Sequence, residues 1–177
     1  MLKLYKQDVA PTLYWEAWAS DDATVVVHHG KLGTRGTNRN KKIPRGVLPD
    51  DFIEQLSEPA RAEGYREIPF EEQTSLILQF KTQDPWGAGD DLDKRYAVEE
   101  LLNELLGWTG NGMCDGGDIG SGTMNLFSYV VDPQLACQAI VAELKKEGIE
   151  GGIIAVETED DYQVLWPEDF EGEFSPI

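Results

Sequence analysis

The chain is poor in the residues that most often carry chemistry. Its 177 residues include only two cysteines, Cys114 and Cys137, and only two histidines, His28 and His29. Two cysteines cannot build a disulfide framework. The opening Met1-Leu2-Lys3-Leu4-Tyr5-Lys6 has no long apolar run and no small-residue cleavage pattern, so free thiols in a reducing cytoplasm are expected. No stretch of about eighteen apolar residues occurs, which predicts no membrane span. Positive charge is scarce as well: 15 Lys and Arg stand against 33 Asp and Glu, for a net charge of −18. Disorder does not follow, because 41% hydrophobic and 10% aromatic residues are enough to bury a core.

The charge is unevenly spread. Residues 1–70 hold ten basic and ten acidic side chains, so the whole of the −18 falls in the remainder. A break of this kind predicts two units with different surfaces, a β-rich one over 1–70 and an acidic α+β one over 75–177.

In the first unit, Leu13-Tyr14-Trp15-Glu16-Ala17-Trp18 and the β-branched run from Ala23 to His29 read as two strands, with Ala19-Ser20-Asp21-Asp22 as the turn. Gly30, Gly33 and Gly36 recur every three residues, a mark of tight backbone. A basic stretch runs to Arg45. Phe52, Ile53, Leu56 and Ala60 then have helical spacing, with Asp50 or Asp51 as the expected N-cap and Gly64 as the stop.

In the second unit, Leu76–Phe80 is a short apolar strand and 84–90 a loop. Tyr96 to Leu106 predicts a helix with Val98, Leu101, Leu102, Leu105 and Leu106 on one face, capped by Asp90-Asp91-Leu92-Asp93. A glycine-rich segment leads into a strand over Thr123–Val131. Asp132-Pro133 opens a second helix, and strands follow over Gly152–Glu157 and Tyr162–Trp166. If the glycine-rich segment pairs with Thr123–Val131, the order is βαββαβ plus one strand, a ferredoxin-like sandwich. The acidic tail after Pro167 is expected to be loosely held.

The order of pieces in residues 1–70 resembles the WGR family, found in poly(ADP-ribose) polymerases and in bacterial proteins. It has a first strand with Tyr5, an aromatic strand with Tyr14-Trp15, and a β-branched strand running into His29-Gly30-Lys31. Leu32-Gly33-Thr34-Arg35-Gly36 follows, and a helix closes on Glu63-Gly64-Tyr65. The resemblance implies an antiparallel sheet with one helix and an association with DNA or RNA. It also departs from the family at its signature. His29 stands for the Trp and Lys31 for the Arg that would contact nucleic acid, so the stacking surface is smaller and the planar guanidinium fork is gone.

Lys31, Arg35, Arg39, Lys41, Lys42 and Arg45 place six positive charges in fifteen residues with no acid among them. With His29 and Gly30 they form the candidate nucleic-acid-binding segment, since phosphate contacts dominate such affinity. A plain solvated edge strand, or a patch that docks on the acidic second domain, reads the same way. Asp115-Gly116-Gly117-Asp118 and the residues to Thr123 offer oxygen ligands, with Asp115 and Asp118 as a weak metal candidate. A tight hairpin or bulge is the simpler account. Cys114 has acidic neighbours that work against a nucleophile. The adjacent histidines face opposite sides of a strand, and no catalytic constellation stands out. The expectation is a non-enzymatic binding protein without a cofactor, associating with DNA or RNA through residues 28–45. The alternative is an inhibitor-like or immunity-like protein whose acidic domain caps a basic protein partner. No membrane role is expected.

Overall fold

A computed structural model describes residues 1–176. The chain is α+β, with a four-stranded and a five-stranded antiparallel sheet and three helices. It divides into two compact units, Met1–Pro69 together with Trp108–Gly110, and Phe70–Gly107 together with the chain from Asn111 on. The tripeptide 108–110 belongs to the first unit although the sequence places it deep in the second. Among the described residues no helix is long and apolar enough to cross a membrane.

The first unit is a meander of β1 (Leu2–Lys6), β2 (Leu13–Asp21), β3 (Thr24–Lys31) and β4 (Thr37–Lys42) in that spatial order. Helix α1 (Pro49–Ala62) covers one face. Strand alternation sends Leu2, Leu4, Ala17, Val25 and Val27 to that face, where they meet Ile53 and Ala60 of the helix. Each such burial stabilises by roughly 1.5–3 kcal/mol for a large aliphatic side chain. The N-cap of α1 is neither of the expected aspartates. Leu48 occupies the cap position with no side-chain bond, Pro49 opens the helix, and Asp50 and Asp51 lie inside its first turn, where they act only on the dipole.

The second unit has strand order β6-β7-β5-β8-β9, all antiparallel. The strands are β5 (Thr74–Lys81), β6 (Gly112–Gly120), β7 (Thr123–Val130), β8 (Ile153–Glu157) and β9 (Tyr162–Trp166). Helices α2 (Gly89–Trp108) and α3 (Pro133–Glu147) bury Val98, Leu102, Leu106, Ile140 and Leu144 against Leu76, Leu78 and Leu126. Helix α2 begins seven residues before the expected Tyr96, so Asp90, Asp91 and Asp93 are helical residues rather than a cap before the helix. Asp91 instead accepts from the Ala88 N–H at 2.8 Å. Asp132 caps α3 as expected, its Oδ1 accepting from the N–H groups of Gln134 and Leu135 at 3.0 Å each. Gly148, with φ of 68°, ends that helix in the left-handed region.

The tail after Pro167 is not loosely held. Phe174 is buried against Ile77, Ile153 and Ala155 on the second face of the sheet, with Phe170 alongside. The Ser175 carbonyl accepts from Gln79 Nε2 at 3.1 Å. Charge alone suggested a solvated tail, but its two phenylalanines find apolar sheet to cover.

Candidate nucleic-acid interface

The site is laid out by the register of the first sheet. Trp15 pairs directly with His29, and His29 with Thr37; Ala17 pairs with Val27, and Val27 with Arg39. Residues two apart on a strand share a face. His29, Lys31, Arg39 and Lys41 therefore project from the same side as Trp15 and α1. On that side His29, Arg39 and Lys41 line a groove of about 330 Å³ together with Trp15, Glu63 and Tyr65, and Lys31 shares the face without lining the groove. Trp15 and Tyr65 are half-buried, while His29, Lys31, Arg39 and Lys41 are exposed. Among the described residues none of the six cations from Lys31 to Arg45 takes part in an ion pair. Strand β4 is exposed along its whole length and forms the edge of the sheet.

The rest of the basic segment lies elsewhere. Lys42 pairs with Thr24 and projects from the opposite face. Arg35 sits in the turn after β3, and Arg45 in the turn after β4, where the Val47 N–H donates to the Pro44 carbonyl at 3.1 Å. Gly30 pairs with Tyr14 on the opposite face, where a side chain would press into the Tyr14 ring and the Gly36 backbone. Gly30 is thus a packing residue. Gly36 has φ of 58°, and a Cβ there would strike the Tyr14 hydroxyl and the His29 carbonyl, so the turn tolerates little else.

That opposite face carries a buried polar cluster. His28 is fully buried, with Nδ1 2.7 Å from Glu16 Oε1 and Nε2 2.7 Å from the Arg35 carbonyl. Glu16 is answered also by Lys3 Nζ at 3.1 Å. The Tyr14 hydroxyl donates to the Thr34 carbonyl at 3.0 Å. The Trp108 ring closes edge-on over His28 at 5.1 Å and over Trp18 at 6.2 Å. Tyr5 donates to the Gly110 carbonyl at 3.0 Å. Burial first, and then the Glu16 charge, push the phenol pKa of Tyr5 and of Tyr14 well above the usual range. His28 thus anchors the Arg35 turn from beneath while His29 is left at the surface.

The other singled-out residues do different work. Asp118 accepts from Asn125 Nδ2 at 2.8 Å, and Asn125 Oδ1 accepts from Gln79 Nε2 at 2.8 Å, a polar row across the second sheet. Asp115 is exposed beside a β-bulge between Cys114 and Gly117. Among the described residues no group of three or more His, Cys, Asp or Glu side chains is placed to hold a metal ion. Cys114 is buried, and burial is the main cause of its raised thiol pKa, with the carboxylate of Glu99 a lesser one.

Trp15 and Tyr65 line the groove, although neither belongs to the candidate binding segment read from the sequence. The signal that would have found Trp15 is its pairing partner, and that depends on a bulge near Ala19 and Asp21. No protein-family profile matches the chain, and neither a curated protein nor a solved structure is significantly similar to it.

Proposed function

We propose that the first unit is a WGR-like module that binds nucleic acid through the groove between α1 and the edge of its sheet. The observation that carries this reading is the placement of exposed, unpaired Arg39 and Lys41, with Lys31 on the same face, around half-buried Trp15 and Tyr65 and exposed His29. Cations supply phosphate affinity and aromatic edges supply base contact. The neutral balance of residues 1–70 supports it too, since the charge that would repel a polyanion lies in the other unit. Strand order 2-3-1-4 in the second unit, counted from β5 to β8, supports a ferredoxin-like sandwich extended by β9. Within this reading the protein is not an enzyme.

A gel-shift series with blunt, nicked and single-stranded DNA at low salt tests it. Arg39→Glu with Lys41→Glu should weaken binding at least tenfold and lower the salt dependence by roughly two charges' worth. Lys42→Glu makes a like charge change on the opposite face and should cost much less than Arg39→Glu alone. Equal binding by the wild type and the double variant would place any nucleic-acid site elsewhere.

A further inference from the structure

Within the second unit a cleft of about 490 Å³ opens beside the start of α2. Trp86, Leu92 and Ile119 give it an apolar lining, with Arg95 and Asp118 at its polar side. Trp86 is 84% exposed and Leu92 45% exposed. A tryptophan this open contributes little to the fold, yet the loop carrying it is well tied. The Trp86 N–H donates to Asp84 Oδ1 at 2.9 Å, and the Gly87 N–H to the Asp84 carbonyl at 3.0 Å. The Gly122 N–H donates to the Pro85 carbonyl at 3.1 Å. The indole is therefore presented to solvent by an ordered turn. Ordered exposed tryptophans beside an apolar notch are the side chains on which protein interfaces concentrate their affinity.

Charge indicates what the cleft receives. Its one lining cation, Arg95, is already engaged, by Glu99 at 3.2 Å and by the Gly117 carbonyl at 2.8 Å. Neighbouring Lys94 lies over the Phe80 ring at 3.9 Å. Asp118 lines the cleft and Asp84, Asp90 and Asp91 lie within two residues of its lining in sequence, and none of the four forms an ion pair within 4 Å among the described residues. The entire −18 of the chain belongs to this unit's part of the sequence. Phosphate-bearing ligands and another acidic surface are repelled, and a cationic one is drawn in.

We propose that the Trp86 cleft is a docking site for a basic protein segment that seats an apolar side chain between Trp86 and Leu92. It is independent of the nucleic-acid site on the first unit. The test uses the full chain and two fluorescein-labelled synthetic peptides of equal charge, one alternating Lys with Leu and one alternating Lys with Ser. Anisotropy should show the Leu peptide binding at least tenfold tighter than the Ser peptide. Trp86→Ser with Leu92→Ser leaves the charge unchanged and, because both side chains are exposed, should leave the circular dichroism spectrum and urea midpoint unchanged. That variant should lose at least tenfold in affinity for the Leu peptide. Equal binding of the two peptides, or undiminished binding by the variant, would reduce the effect to diffuse charge attraction and overturn the proposal. Failure of the Leu peptide to bind at low salt would overturn it as well. Self-association in sedimentation that the double substitution abolishes would put a second copy in the cleft and overturn the choice of occupant.

Discussion

His28 and His29 are neighbours in sequence with opposite fates, and the difference is one of hydrogen-bond supply. His28 turns inward, where Nδ1 meets Glu16 Oε1 and Nε2 meets the Arg35 carbonyl and the Tyr14 hydroxyl, so each ring nitrogen has a hydrogen-bonding partner inside the buried cluster. Among the described residues His29 makes no such side-chain hydrogen bond, and it lines the groove at the surface. Tyr5 and Tyr14 share the buried side with Glu16. Their raised pKa values mean that the unfolded chain loses its phenolic protons first as pH rises past about 10. Above that point the unfolded state binds fewer protons than the folded one, so stability falls with pH. The expected slope is about 1.4 kcal/mol per pH unit for each tyrosine. Urea titrations between pH 9 and 11 should show it, and Tyr14→Phe should remove one tyrosine's share of the slope. A midpoint flat across that range would contradict the burial of both phenols in solution.

The helices were legible to different depths, and capping explains why. Asp132-Pro133 is a complete start signal, and the structure uses it as written, with Asp132 accepting two backbone bonds. Asp50 and Asp51 look similar but fall inside α1, because Pro49 already supplies the first helical residue. The start of α2 was hidden by Gly87 and Gly89, which read as loop, and by the lack of an apolar face in its first turns. These differences have measurable consequences. Asp132→Ala should cost about 1 kcal/mol through the lost cap. Asp50→Ala should cost no more than about 0.5 kcal/mol, since only its interaction with the helix dipole is lost. Denaturant midpoints of the two variants would separate the cases, and equal losses would mean that Asp132 is not acting as a cap.

At the scale of the molecule, composition announces two units, but it does not trace their borders. The charge break near residue 70 coincides with the change from the first sheet to the second, yet Trp108–Gly110 returns to the first unit. Local pattern cannot reveal this, because the tripeptide follows α2 directly and its partners, Tyr5, Tyr14, His28 and Gly33, lie about a hundred residues or fewer upstream. The acidic tail is a second case. Its phenylalanines cover a sheet face that has no helix, and Phe174 is only 8% exposed. Phe174→Ala should destabilise the second unit by about 3 kcal/mol, in the range for losing a buried phenylalanine. Calorimetry of the full chain should register the loss. An unchanged unfolding profile would mean that the tail does not pack.

Residue types and their spacing determined by themselves that the chain is α+β, where most strands lie, that α3 starts behind an Asp132 cap, and that the net negative charge falls outside residues 1–70. These follow from local rules, because alternation, helical period and capping act over a few residues. Which residues meet was decided only by the tertiary structure. Counting back from the tight turn, Asp21 opposite Thr24 would set Trp15 opposite Gly30. The bulge between Ala19 and Asp21 shifts the pairing by one, so that Trp15 meets His29. A one-residue shift in a strand exchanges its faces. The groove with its aromatic floor and cationic edge exists because of that shift, and it depends on long-range pairing and on the packing of α1, neither of which a local reading of the chain contains.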